Sequence, residues 1–350
     1  IVLAGLETEN DVWLSKEYKN GEAVGFSDQI KKSVEPAGGG VVAVAKIDDK
    51  LLLLKASTYY YLFGDGPNNT GQFGEFSEPQ QVPQADVGCT NAQSIVAVPG
   101  GVMLKTGKGI YLIDSSLTPA YLGDEVEAYN GQVVTSAALV SDRNQVRFTT
   151  AAGPCLVYDY YFRQWSTFTA HEAKDAVIWR GTYVLLKRSG ATWKEDTSYY
   201  KDAGAPIRVR IGTGWLSLSG VVGFQRVYRV AMLGEYKSPH KLQVSVGYDF
   251  SPAYSDSIPF DPDTGLDIAR FGDGATYGAD ATFGGPNSAY RFSAHLRIQK
   301  CQAIRLLIEE LTTSATAGSH EAFNITTLGL LVGVKAGLGK FRSKQNIGTE

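Results

Sequence analysis

The strongest constraint on this chain is a motif that recurs along it. Residues 50–71 read KLLLLKASTYYYLFGDGPNNTG, and weaker copies follow at 101–114 (GVMLKTGKGIYLID), 144–159 (NQVRFTTAAGPCLVYD) and 181–195 (GTYVLLKRSGATWKE). Each copy is an apolar strand, a short turn rich in Ala, Ser, Gly or Thr, and a second strand rich in aromatic or β-branched residues. With Leu54, Leu104, Phe148 and Leu186 as equivalent points, the copies are spaced by 50, 44 and 38 residues. A period of roughly 40–50 residues holding several strands is how a β-propeller reads. Propellers mostly serve as platforms, so the repeat points first to a binding or structural role.

Composition agrees with an all-β chain. The 39 glycines among 350 residues exceed the usual share of about 7%, as tight turns with positive φ require. Tyrosine numbers 19, and aromatic side chains suit half-buried pleated surfaces. No apolar run approaches the ~20 residues that span a bilayer as a helix, so no membrane insertion is expected. Cys89, Cys155 and Cys301 are odd in number, far apart and without a CxxC pair, which predicts three isolated buried thiols.

Charge differs between the two parts of the chain. Residues 1–200 carry 17 Lys/Arg against 23 Asp/Glu, a balance of −6, and residues 201–350 carry 16 against 13, a balance of +3. Neither part has a basic stripe. Tight nucleic-acid binding needs clustered cations that displace counterions from phosphates, and that class of function is not supported. The chain starts at Ile1 without a signal-peptide pattern and is read as a piece of a longer protein.

The pattern changes along the sequence. Residues 1–40 read as an incomplete blade, with a strand at 12–15 (VWLS) and a long polar connection at 17–40. Ser94–Val98, Pro99-Gly100-Gly101 and Val102–Leu104 read as a hairpin. In the third copy, alternation places Tyr158, Tyr160 and Phe162 on one face and Tyr161 on the other, with Arg163-Gln164 turning into an edge strand ahead of Trp165. Phe148, Tyr158 and Trp165 are expected to be packing residues. After about residue 200, strict alternation at 207–211 (IRVRI), 215–219 (WLSLS), 242–250 (LQVSVGYDF), 292–298 (FSAHLRI) and 304–309 predicts an antiparallel β-sandwich. The expected organisation is an irregular β-propeller body over 1–200, a β-sandwich domain over 205–340 and a linker or tail over 341–350. The stretch 251–290, rich in Gly, Asp, Pro and Ser, reads as a long functional loop.

No site motif is complete. The Gly64–Gly71 loop follows a strand but opens no helix, so it reads as a blade-end loop held by Asx turns rather than as an anion cradle. Asp261, Asp263, Asp267 and Asp273 gather carboxylates in one loop, a weak calcium candidate whose spacing departs from the EF-hand. Gly333–Phe341 fails as a phosphate loop, because Gly333 comes one residue early and Phe341 stands where Ser or Thr is needed. The four histidines, His171, His240, His295 and His320, share no motif. His295 alternates with apolar neighbours and belongs on a polar strand face. No nucleophile elbow, zinc spacing or carboxylate pair is present. A sialidase-type turn is approached only near Trp165, where its Asp and Gly are missing. No cofactor and no catalytic residue are expected.

Five stretches carry a resemblance: 13–18 (WLSKEY), 48–71 (DDKLLLLKASTYYYLFGDGPNNTG), 88–114 (GCTNAQSIVAVPGGVMLKTGKGIYLID), 156–168 (LVYDYYFRQWSTF) and 225–250 (QRVYRVAMLGEYKSPHKLQVSVGYDF). They are similar to the tail nozzle, or tail tubular (hub), proteins of short-tailed bacteriophages, over nearly the whole chain. The resemblance implies a propeller with added β-sandwich parts and a structural virion protein at the distal tail. It implies a ring of identical subunits, expected to be a hexamer, through whose lumen genome DNA passes without sequence-specific binding during ejection. Tail adaptor and fibre or spike proteins are the implied partners. A net-acidic propeller suits a lumen that must not hold DNA. Loop residues Asp65, Asn68, Asn69, Phe73, Phe76, Phe260, Phe271 and Tyr277 are interface candidates, since long loops tend to serve contacts. Two other classes remain open: a carbohydrate-binding or glycan-cleaving β-propeller, and a propeller scaffold for cellular proteins.

Overall fold

The computed structural model describes residues 1–64, 66, 76–83, 86–202, 204–220, 223–238, 240–262, 288–311 and 321–334. The fold is all-β and antiparallel, and the helical pieces among the described residues are short 3-10 turns. The chain divides into two compact units, Ile1–Glu195 and Asp196–Glu350.

The first unit is a succession of sheets, each made from consecutive strands. The first sheet holds β1 (Val2–Ala4), β2 (Asp11–Ser15) and β3 (Phe26–Ser33). The second holds β4 (Ala43–Ile47), β5 (Lys50–Leu54), β6 (Tyr59–Phe63) and β7 (Gln80–Gln81). The third holds β8 (Val96–Val98), β9 (Gly101–Thr106), β10 (Gly109–Asp114) and β11 (Pro119–Tyr121). The fourth holds β12 (Val134–Val140), β13 (Gln145–Thr150), β14 (Cys155–Asp159) and β15 (Gln164–Phe168). The fifth holds β16 (Asp175–Trp179), β17 (Thr182–Leu186) and β18 (Thr192–Lys194). The four repeat points Leu54, Leu104, Phe148 and Leu186 all fall on the second strand of their sheets. First strands of successive sheets lie against one another: β1 meets β4, β4 meets β8 (and the adjoining second strand β9), β8 meets β12, and β12 meets β16.

This succession explains the unbroken apolar runs. Successive strand residues point to opposite faces, so a sheet covered on one side shows alternation and a sheet covered on both shows continuous hydrophobicity. On β5, Leu53 joins Val12, Leu14, Tyr60 and Leu62 in a core against the first sheet. Its neighbours Leu52 and Leu54 face the other way, joining Tyr59, Val102, Leu104 and Ile113 in a core against the third. The same division continues: Met103 and Ile110 pack with Val146, Phe148 and Leu156, and Ala138 and Val140 pack with Ala176, Tyr183 and Leu185. The fit leaves little slack. A Cβ added to Gly88 would lie 2.3 Å from the Lys55 carbonyl oxygen.

The second unit holds the short pair β19 (Lys201–Asp202) and β20 (Ala205–Pro206) and two larger sheets. One has the order β21 (Arg210–Gly212), β27 (Ile304–Leu311), β23 (Lys241–Tyr248), β24 (Asp256–Phe260). In the other, the long strand β22 (Gln225–Tyr236) is flanked on one side by β25 (Ser288–His295) and β26 (Lys300–Cys301) and pairs with β28 (Phe323–Val334). A single apolar core draws Val227, Val230, Met232 and Phe292 from one sheet and Leu242, Val244, Val246, Ile304, Leu306 and Ile308 from the other. Two bulges disturb the period. The register slips at Tyr228 on β22 and at Thr326 on β28, so Val227 and Val230, and likewise Ile325 and Leu328, share a core despite a spacing of three.

Several expectations are corrected. The stretch 17–40 contains β3, whose polar sequence hid it because Ile30 is its one fully buried apolar residue. Strand β14 stops at Asp159, and Tyr160–Arg163 form the turn, with Arg163 at φ 56°. The Asp159 carboxylate accepts the Tyr161 and Phe162 amides at 2.9 Å and ends the alternation there. The WLSLS stretch makes only a bridge between Leu216 and Ile304, and of IRVRI only Arg210 and Ile211 enter a strand. The loop 251–290 is not continuous, since β24 pairs with β23 and β25 starts at Ser288. Residues 341–350 lie outside the described residues.

Candidate functional site

Of the interface candidates, Asp65, Asn68, Asn69, Phe73, Phe271 and Tyr277 lie outside the described residues. Phe76 is half-buried against the core between the first two sheets. Phe260 packs on the core of the second unit with its ring 4.9 Å from that of Phe292. Asp261 pairs with Lys241 at 2.7 Å, while Asp263, Asp267 and Asp273 are also outside the described residues. Among the described residues no cluster of His, Cys, Asp and Glu could hold a metal ion.

The three cysteines are buried free thiols, and burial pushes the Cys155 thiol up to about 12. His295 is exposed on its strand, its Nε2 2.9 Å from an Arg229 guanidinium nitrogen. Phe148 and Tyr158 are buried, and Trp165 is half-buried with its ring 4.9 Å from Tyr158 and its indole Nε1 donating to the Leu122 carbonyl at 2.7 Å.

The chain's unusual chemistry is a set of buried cations that sequence reading did not single out, although the repeat displays them. Residues just after the repeat points are Lys55, Lys105, Thr149 and Lys187, at the ends of β5, β9, β13 and β17. All three lysines are buried. A buried ammonium is costly unless paired or hydrogen-bonded. Lys55 meets this by donating to the Glu35 carbonyl, to Asn10 Oδ1 at 2.9 Å and to the Ala37 carbonyl at 3.1 Å. Lys187 donates to the Ala170 carbonyl, lies 3.7 Å from the Glu172 carboxylate and sits 4.3 Å from the centre of the Trp193 ring. Both therefore tie their own sheet to the chain preceding it.

Lys105 differs. Its ammonium donates to the Thr106 carbonyl at 2.7 Å, and burial pulls its pKa below the ordinary lysine value with no carboxylate opposing the shift. It lines a cavity of about 250 Å³ together with Thr90, Ser94, Asn130, Gln132 and Val133. The connection before β8 and the one before β12 supply these residues, so the cavity lies at the seam between the third and fourth sheets.

A second feature is the edge of the second unit. β28 runs for twelve residues, FNITTLGLLVGV, without a charge or a proline. Among the described residues it pairs with β22 alone, leaving its other edge open. Phe323, Ile325, Leu328, Leu330 and Val332 pack on the core but stay only partly buried, and Leu331 on the outer face is 59% exposed. Natural edge strands are blunted by charge, proline, shortness or bulges; this one has the bulge at Thr326 but no charge, no proline and twelve residues of length.

No family model and no curated protein matches the chain. Among solved structures, the chain is similar to a crystal structure of the S. cerevisiae core factor, with 7% identity, a TM-score of 0.31, and coverage of 89% of this chain and 54% of that one. The chain thus spans about half the length of that protein, and a likeness of that TM-score carries no argument about fold or function.

Proposed function

We propose that this protein is a structural subunit that assembles with copies of itself into a ring, as in the tail nozzle of a short-tailed bacteriophage, and that it has no catalytic activity. In this reading the five meander sheets form an irregular β-propeller and the two sheets of the second unit a β-sandwich. The observation that carries the assembly reading is the edge of β28 with which no strand among the described residues pairs. An uncharged, proline-free edge of twelve residues next to half-covered core side chains is a surface for pairing with another strand. Where β28 pairs with a different edge of the next copy, the contact is heterologous and gives a ring when its rotation closes. Large exposed apolar side chains elsewhere, such as Tyr161 at 72% and Phe162 at 67%, add contact surface of the sort that interfaces use. The phage setting rests on the sequence resemblance alone.

The test is the mass of the purified chain by light scattering, for the natural sequence and for Thr327→Lys with Leu331→Lys. Both positions are exposed, so each substitution should change folding by about 0.5 kcal/mol, Leu331→Lys the more costly because it sets a second cation opposite Arg229. The natural chain should give a multiple of its own mass and the variant a folded monomer. A monomer in both cases would count against the reading.

A further inference from the structure

We infer that the cavity at the seam between the third and fourth sheets is a binding site for a carboxylate group, with Lys105 as its cation. The repeat supplies the internal comparison. Lys55 and Lys187 stand at the equivalent place and are each met by several acceptors or a carboxylate from the preceding chain. Lys105 is 6% exposed and, among the described residues, has one acceptor, the Thr106 carbonyl at 2.7 Å, and no ion pair. An ammonium has three donors, so two remain to be satisfied beside a cavity of about 250 Å³. At about 30 Å³ per water in the liquid, that space holds several waters or a small organic anion.

The rest of the lining fits an acceptor ligand with one negative charge. The Gln132 side chain makes no hydrogen bond among the described residues and lines the same cavity, offering an amide donor. Thr90 and Ser94 already spend their hydroxyl protons on the carbonyls of Lys105, at 3.4 Å, and Asn91, at 2.6 Å. Asn130 likewise donates to the Lys108 carbonyl at 3.2 Å. No Asp or Glu lines the cavity to compete for the ammonium. One cation and one neutral donor match a carboxylate, whereas a phosphate dianion would leave charge unmet. Val133 and Val134 supply an apolar wall for a short carbon stem. The carboxylate can belong to a free small acid or to the end of a polypeptide, and the site chemistry is the same for both.

The experiment is thermal unfolding of the full chain with sodium acetate, with N-acetyl-Ala-Ala bearing a free carboxylate, and with its amide, each at ionic strength matched by sodium chloride. The natural chain should melt higher in acetate, in the free-carboxylate peptide or in both, and not in the amide. The choice between the two identifies the source. Lys105→Met exchanges a buried charge for an apolar chain of similar length, which proteins commonly tolerate, and it should abolish the rise. Gln132→Ala keeps the cation and should weaken the acetate midpoint about tenfold, the loss expected for one hydrogen bond to a charged group; it also serves if Lys105→Met does not fold. A rise that is equal in chloride, or that survives in Lys105→Met, or no rise with either carboxylate, would overturn the assignment.

Discussion

Arg147 shows how this chain treats a charge it cannot expose. Its side chain is fully buried on β13, donating to both Glu195 carboxylate oxygens at 2.8 and 3.3 Å and to Gln145 Oε1 at 3.2 and 2.9 Å. The guanidinium carbon lies 4.7 Å from the Tyr183 ring centre and 5.2 Å from that of Phe168. Arg143 adds a second cation 2.7 Å from Glu195. Glu195→Ala leaves the buried guanidinium without its counter-charge, and since Glu195 is partly exposed the expected loss is about 3 kcal/mol, read as a lower urea midpoint. The double variant Arg147→Met, Glu195→Gln should recover much of it. Lys105 gives a pH signature. Its pKa is lowered in the folded chain from 10.5, so the unfolded chain binds more protons below that value and stability gained from this group rises with pH there. The stability difference between the natural chain and Lys105→Met should therefore shift in favour of the natural chain as pH climbs toward 10.5; a pH-independent difference would contradict the burial argument. Cys155 is fully buried and its burial raises its pKa, so thiol reagents should label it only through opening of the fold.

Among elements, the second strand of each sheet is where sequence and structure agree best. The run LLLL was readable because both of its faces are buried, Leu53 toward the first sheet and Leu52 and Leu54 toward the third. Leu53→Ala should cost about 2–5 kcal/mol as a cavity in a two-sided core. Gly88→Ala should cost about 1–3 kcal/mol from overpacking, since the added carbon meets the Lys55–Ala56 backbone rather than a movable side chain; calorimetry would check both. What escaped the sequence has physical causes. β3 is polar and shows one fully buried apolar residue. The Asp159 cap ended a strand whose aromatic alternation ran on into its turn. Bulges at Tyr228 and Thr326 broke the period of two inside strands that are otherwise continuous. The buried lysines were in plain view in the repeat, but a lysine in a strand reads as solvated until its neighbours in space are known.

For the whole molecule, the two units carry opposite charge balances, 17 Lys/Arg against 22 Asp/Glu (−5) over residues 1–195 and 16 against 14 (+2) over 196–350, and neither shows the clustered cations of a nucleic-acid surface. A conduit for DNA should bind duplex weakly even at low salt. A protein making six or more phosphate contacts would instead lose about 10³-fold or more in affinity between 50 and 200 mM salt, and a fluorescence titration across that range separates the two. The carboxylate cavity and the β28 edge belong to different units, so failure of one proposal leaves the other standing. The most direct test of the ring reading is electron microscopy of the purified chain at the concentration where its mass is measured. Closed rings with a central opening are expected, lost in Thr327→Lys with Leu331→Lys; uniform single subunits of the natural chain, or rings that persist unchanged in the variant, would contradict the account.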